Sequence, residues 1–152
     1  MTAVPIDTEL FSWPDKPRLL GSTCPHCSTT TFPAQGSCPR CTRTDMARVA
    51  LASTGTLWSF TVQGFEPKPP YRGERPFRPY GVGYVRLDAD RGDPVLVEGR
   101  LTESDPEMLC IGDEMEVCFV PLRREDSGQV VITFAFSSTG RQGPRTDSEG
   151  ER

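Results

Sequence analysis

Two cysteine pairs carry the clearest chemistry in this chain. Cys24-Pro25-His26-Cys27 is followed, ten residues after Cys27, by Cys38-Pro39-Arg40-Cys41. Each Cys-x-x-Cys turn aims two sulfurs at one point, and the intervening segment folds back to set the pairs opposite each other. Four thiolates complete a tetrahedral shell with no open position for water, which is the donor set of one structural zinc. The metal ligands are therefore expected to be Cys24, Cys27, Cys38 and Cys41. His26 is the only histidine, and the four sulfurs leave it no place in the shell.

The segment that must position these sulfurs, about Leu19 to Arg48, is poor in apolar residues: Leu19, Leu20, Phe32, Met46 and little else. Ordering its roughly 30 residues costs about 1–2 kcal/mol each in backbone entropy, which so few side chains cannot offset. Zinc binding of about 10–16 kcal/mol can tip that balance. The knuckle turns often carry glycine after the second cysteine; Ser28 and Thr42 stand there instead.

Beyond the ribbon the pattern changes to alternation. Thr56 to Val62 alternates, with Trp58, Phe60 and Val62 on one face, and reads as a half-buried strand. Tyr80–Leu87, Pro94–Leu101, Met115–Phe119 and Val130–Phe136 supply four more, with turns at 88–94 and at Gly112-Asp113. Five short strands over about 90 residues suit an OB-fold barrel. Asp113, Glu114 and Glu116 read as the solvent face of a strand, and Cys110 and Cys118 as small core residues. Ahead of the ribbon, Asp7 or Thr8 caps a short helix that carries Phe11 and Trp13 and is stopped by Pro14 and Pro17. The expected fold is mainly β: an N-terminal helical segment (1–18), a rubredoxin-like zinc ribbon (19–48), a five-stranded OB-fold (49–137) and a disordered tail (138–152).

Charge narrows the function. With 17 basic and 21 acidic side chains the net charge is −4, a poor start for a nucleic-acid binder. Residues 66–80 are the exception: four cations, two anions, five prolines and the rings of Tyr71, Phe77 and Tyr80. Arg72, Arg75 and Arg78 are candidates to meet phosphates or an acidic partner surface, and Phe77 and Tyr80 to flank such a ligand. Phe11 and Trp13 form a second candidate contact, an apolar handle for a partner protein, although packing against the ribbon explains them as well. With one histidine, sitting in a knuckle, a Ser-His or Cys-His catalytic pair has no base, and the expectation is no catalytic residue. No cationic or long apolar stretch opens the chain and no run of about 18 apolar residues follows. Paired cysteines without a leader fit a reducing, cytoplasmic setting and no membrane.

The order of parts resembles the bacterial and archaeal family that joins a rubredoxin-like zinc ribbon to an OB-fold and accompanies acyl-CoA enzymes (domain of unknown function thirty-five). The matching pieces run from Phe11 and Trp13 through Leu19-Leu20-Gly21-Ser22, Phe32-Pro33 and Cys38-Pro39-Arg40-Cys41 to Gly55-Thr56-Leu57-Trp58-Ser59-Phe60-Thr61-Val62. Pro79-Tyr80-Gly81-Val82-Gly83-Tyr84-Val85, Glu98-Gly99-Arg100-Leu101 and Ile111-Gly112-Asp113 complete them. Ser28 and Ala34 depart from the family's usual pattern. The resemblance implies a non-catalytic accessory subunit that docks on a thiolase-superfamily enzyme (a thiolase, acyltransferase or aldolase), stabilises it and helps to bind the acyl-CoA. The alternative from another class is a single-stranded nucleic-acid module, since zinc ribbons and OB-folds both hold single strands.

Overall fold

The computed structural model describes residues 2–89 and 92–143. The fold is nearly all sheet, and its only helical turn among the described residues is the 3₁₀ turn Pro106–Met108. The barrel is built from β5 (Thr54–Gln63), β6 (Tyr80–Leu87), β7 (Val95–Leu101), β8 (Glu114–Arg124) and β9 (Val130–Ser138). β5, β6 and β7 form an antiparallel meander, β7 and β9 meet in parallel, and β8 pairs with both β9 and β5. That circuit closes the five strands into a barrel, the OB-fold arrangement expected from the sequence.

The ribbon forms a separate three-stranded sheet, with β2 (Leu20–Thr23) between β3 (Thr30–Thr31) and β4 (Ala47–Ala50). Its apolar side chains are too few for a core of their own, so they share the barrel's. Phe11, Leu19 and Leu51 belong to one buried cluster with Leu57, Val85, Leu87, Val97, Met115, Ile132 and Phe136. Phe32 meets Phe134 edge to face at 5.5 Å. The two units are thus joined by packing as well as by chain.

The expected N-terminal helix is absent. Ala3–Pro5 is instead a strand, β1, paired in parallel with β9. Asp7 makes only a turn, accepting from the Glu9 N–H at 2.8 Å. The stretch between Pro5 and Pro14 is too short to nucleate a helix that tertiary packing does not reward, and extended backbone on both sides finds partners. Phe11 bridges Leu19, and the Leu20 N–H donates to Leu10 O at 2.8 Å.

Two further expectations change. A β-bulge between Leu57 and Ser59 sets Trp58 and Ser59 together against Tyr84. The bulge adds one residue to the strand, so Leu57 and Phe60 face inward and Trp58, read as inward from the alternation, is 55 % exposed. Asp113, read as solvent-facing, is 3 % exposed. Its carboxylate accepts from the N–H groups of Cys110 and Gly143, both at 3.0 Å, and so ties the loop before β8 to the chain after β9. The start of the expected disordered tail is therefore placed: the Thr139 N–H donates to Glu114 O, and the Glu114 N–H donates to Arg141 O. The rest of that tail, 144–152, lies outside the described residues.

Candidate metal centre and adjoining cleft

Two copies of one backbone device bring the four cysteines together. In the first knuckle the Ser28 N–H donates to Cys24 O at 3.0 Å and the Cys24 N–H to Thr29 O at 2.9 Å. In the second, Thr42 N–H donates to Cys38 O at 2.9 Å and Cys38 N–H to Arg43 O at 2.8 Å. The residue that closes each turn is left-handed, Ser28 at φ 66° and Thr42 at φ 68°. Glycine is the usual solution there; these two side chains adopt the conformation because two backbone bonds hold each turn.

The sulfurs converge. Cys24 and Cys41 lie 3.6 Å apart, Cys27 and Cys38 3.5 Å, and all four Sγ atoms fall within 4.8 Å of one another. Bonds of about 2.3 Å from zinc to sulfur require sulfur–sulfur edges of about 3.8 Å in a tetrahedron, so the four sulfurs fit such an ion. Cys24 and Cys38 are buried and Cys27 and Cys41 half-buried, which leaves little room for water. The Thr29 hydroxyl, 3.2 Å from Cys27 Sγ, and the Thr29 backbone draw the Cys27 thiol down to about 6. The Cys38 thiol is lowered by the Cys41 N–H against the opposing effect of burial. Cys41 receives a backbone hydrogen bond from Arg43, but burial and the neighbouring sulfurs push it up to about 11. Four thiolates so close together need a cation to share their charge.

His26 lies outside the ligand set. Its Nε2 is 2.7 Å from Asp45 Oδ2, and this contact holds the Asp45 carboxyl below its usual range. Cys110 and Cys118 are both half-buried, more open than the core positions read from the sequence, and join no metal cluster among the described residues. Since left-handed backbone costs an ordinary residue about 1–2 kcal/mol and glycine's entropy recovers part of that, Thr42→Gly is expected to raise stability by about 0.5–1 kcal/mol. A thermal melt of the zinc-loaded protein should then shift upward by about 1–4 °C.

The candidate contact residues divide. Phe11 is 1 % exposed and packs on Phe119 at 4.9 Å, so it is core and offers no handle. Trp13 is half-buried, its indole N–H donating to Ala3 O at 3.3 Å. In the proline-rich loop, Tyr71, Phe77 and Tyr80 stack edge to face in series, with centroids 6.3 and 6.1 Å apart. The Arg100 guanidinium lies 3.9 Å over the Tyr80 ring. Arg75 pairs with Glu66 at 3.1 Å, and Arg78 is exposed. Arg72 alone of the three loop arginines lines the cleft beneath the loop, which Arg100 and Arg123 also line. Sequence reasoning passed over those two. Alternation does put Arg100 on the outer face, but only the β7–β9 junction brings it under the loop. Arg123 follows a register shift between Pro121 and Arg123 that no sequence pattern marks.

Comparison with known proteins agrees with this geometry. Residues 14–47 match the model described as "ChsH2, rubredoxin-like zinc ribbon domain" and residues 48–120 the one described as "ChsH2, C-terminal OB-fold domain". A "DUF35 domain-containing scaffold protein" of Methanocaldococcus jannaschii is 27 % identical, the match covering 78 % of each chain. One of Methanothermobacter thermautotrophicus is 28 % identical over 81 % of this chain and 86 % of its own length. A solved structure described as "Ltp2-ChsH2(DUF35) aldolase" shares the fold, with a TM-score of 0.58 at 23 % identity over 80 % of this chain and 84 % of that one. With both halves matched in the same order, the chain belongs to the ChsH2 (DUF35) family of zinc-ribbon and OB-fold proteins.

Proposed function

We propose that this chain is a non-catalytic accessory subunit that docks on a thiolase-superfamily enzyme, stabilises it and helps to hold its acyl-CoA. The carrying observation is the closed shell of the metal centre: four cysteine sulfurs around one point serve to hold backbone, and leave no position at which a metal would activate water. The ion held there is zinc, and it joins the two knuckles of the ribbon (19–48), which packs on the barrel (49–137). The relatives' description as scaffold proteins supports an accessory role, and the solved aldolase named for ChsH2 supports an enzyme as the partner. No helix among the described residues is long and apolar enough to cross a membrane.

Exposed rings and cations give such a partner something to grip. Trp58 and Tyr84 meet edge to face at 6.2 Å on the outside of the barrel, and Leu96 is exposed on the neighbouring strand. Arg75 and Arg78 are exposed on the loop and open to a protein surface, with Phe77 half-buried between the Tyr71 and Tyr80 rings, while Arg72 lines the cleft. The aromatic face also resembles a single-strand platform, but the acidic net charge of −4 opposes a polyanion.

The test is an affinity pull-down of the tagged full chain from its host at moderate salt. A stoichiometric thiolase-like subunit should co-elute, and Arg75→Ala with Arg78→Ala should reduce its recovery with zinc content unchanged. Recovery of nucleic acid in its place, or of the chain alone, would overturn the proposal.

A further inference from the structure

A cleft in the barrel lies under the loop that joins its first two strands. It has a volume of about 410 Å³ and is lined by Tyr71, Arg72, Gly99, Arg100, Arg123 and Phe134, among others. That size is in the range of small-molecule sites. In OB-folds the loops between strands one and two and between strands four and five carry ligands. Here the first of these is residues 64–79, which supply Tyr71 and Arg72, and the second is residues 125–129, which follow Arg123 at the end of β8.

Three cations reach this cleft from three separate elements. Two of them are set by a neighbour. Arg100 on β7 lies over the Tyr80 ring at 3.9 Å. Arg123 on β8 donates from Nε to Glu125 Oε1 at 2.8 Å. Arg72 sits on the loop and, with Arg123, helps to hold the Glu125 carboxyl below its usual range, the hydrogen bond from Arg123 being the largest cause. Glu125 offsets one positive charge and leaves the cleft net basic in a protein that is acidic overall.

Two glycines shape the walls. A Cβ on Gly73 would lie 1.9 Å from the Tyr71 hydroxyl, so the Tyr71 side chain crosses a position that admits no other side chain. A Cβ on Gly99 would lie 2.8 Å from both Phe134 and Phe136. Bare backbone at Gly99 therefore lets the Phe134 ring form the floor. The result is a basic mouth over aromatic walls, which is the chemistry that recognises a phosphorylated ligand with a flat ring.

We infer that the cleft between Arg72, Arg100 and Arg123 binds the phosphate or pyrophosphate group of a nucleotide-type small molecule, with its ring against Tyr71 or Phe134. The accessory reading bears on this only in naming an enzyme whose substrate carries such a group. Binding by the isolated chain and co-elution of a partner are separate readouts, so either proposal can fail while the other stands.

Calorimetric titration of the purified, zinc-loaded full chain tests it, with ADP, inorganic pyrophosphate and adenosine as probes. ADP should bind saturably at one per chain, pyrophosphate more weakly because the ring contacts are missing, and adenosine not at all. Arg72→Gln and Arg100→Gln should each raise the ADP Kd about tenfold or more, with the thermal melt of the exposed Arg72→Gln unchanged. Arg75→Gln and Arg78→Gln should leave the Kd as it was. The inference is overturned by an absence of saturable ADP binding or by equal losses at Arg75. Pyrophosphate binding as tightly as ADP would also overturn it, by showing a bare anion site. So would tighter binding of an oligothymidylate that displaces ADP, which would mark the cleft as a nucleic-acid groove.

Discussion

Cys38→Ser is expected to take the chain from one bound zinc to none and to unfold the ribbon. Cys38 is 2 % exposed, and its sulfur is at once a metal donor and the acceptor of the Arg40 and Cys41 N–H groups, at 3.4 and 3.5 Å. A serine oxygen is a poorer donor for zinc than a thiolate, and the loss removes a contribution of about 10–16 kcal/mol at neutral pH. That equals or exceeds the whole stability of an ordinary domain, about 5–15 kcal/mol. The damage should not stop at residue 48, because the ribbon's Leu19 sits in the same buried cluster as Leu51, Leu57 and Met115 beyond it. Metal content by mass spectrometry and a thermal melt check this together. Cys110→Ser and Cys118→Ser should keep the zinc, being outside the cluster. Full zinc occupancy in Cys38→Ser would show that the four sulfurs do not act as one site.

Phe11→Ala should cost about 3–5 kcal/mol, the range for removing a fully buried aromatic ring. The side chain stands where three parts of the molecule meet. Its backbone bridges Leu19 at the mouth of the ribbon, its ring packs on Phe119 of β8 at 4.9 Å, and Trp13 meets its edge at 6.4 Å. The hole it leaves has walls on separate chain segments that cannot collapse together, so the upper half of the range is expected. Urea denaturation reads it as a lower midpoint at an unchanged slope. Phe11 as a partner handle makes the opposite prediction: Phe11→Ala would then lose partner binding at wild-type stability. Trp13→Ala, with its ring half-buried and one hydrogen bond to Ala3 O, should cost less than Phe11→Ala.

Much of the molecule was legible because its chemistry is local. The metal site depends on the spacing of Cys24, Cys27, Cys38 and Cys41, and two residues between cysteines is a property of the chain before it folds. The barrel strands were legible for a related reason. Val85, Leu87 and Leu101 alternate with polar neighbours because one face of each strand is buried, and β5 through β9 fall where the alternation put them.

What the sequence by itself determined, then, is a four-thiolate metal ribbon followed by a small closed β-barrel. The tertiary structure alone decided what depends on insertions and on distant strands meeting. The bulge at Trp58 adds one residue and turns that indole to the outside, which simple alternation cannot express. Asp113 is buried because the chain after β9 returns to it, thirty positions later at Gly143. The first residues became a strand because β9 offered an unfilled edge at Val130–Ile132, a partner more than a hundred residues away. The cleft has the same origin: Arg72, Arg100 and Arg123 share no spacing, and only barrel closure through β7, β8 and β9 brings the three residues to the lining of one cleft. Short-range pattern specifies which face of a segment is buried, whereas loop closure and register specify what that face is buried against.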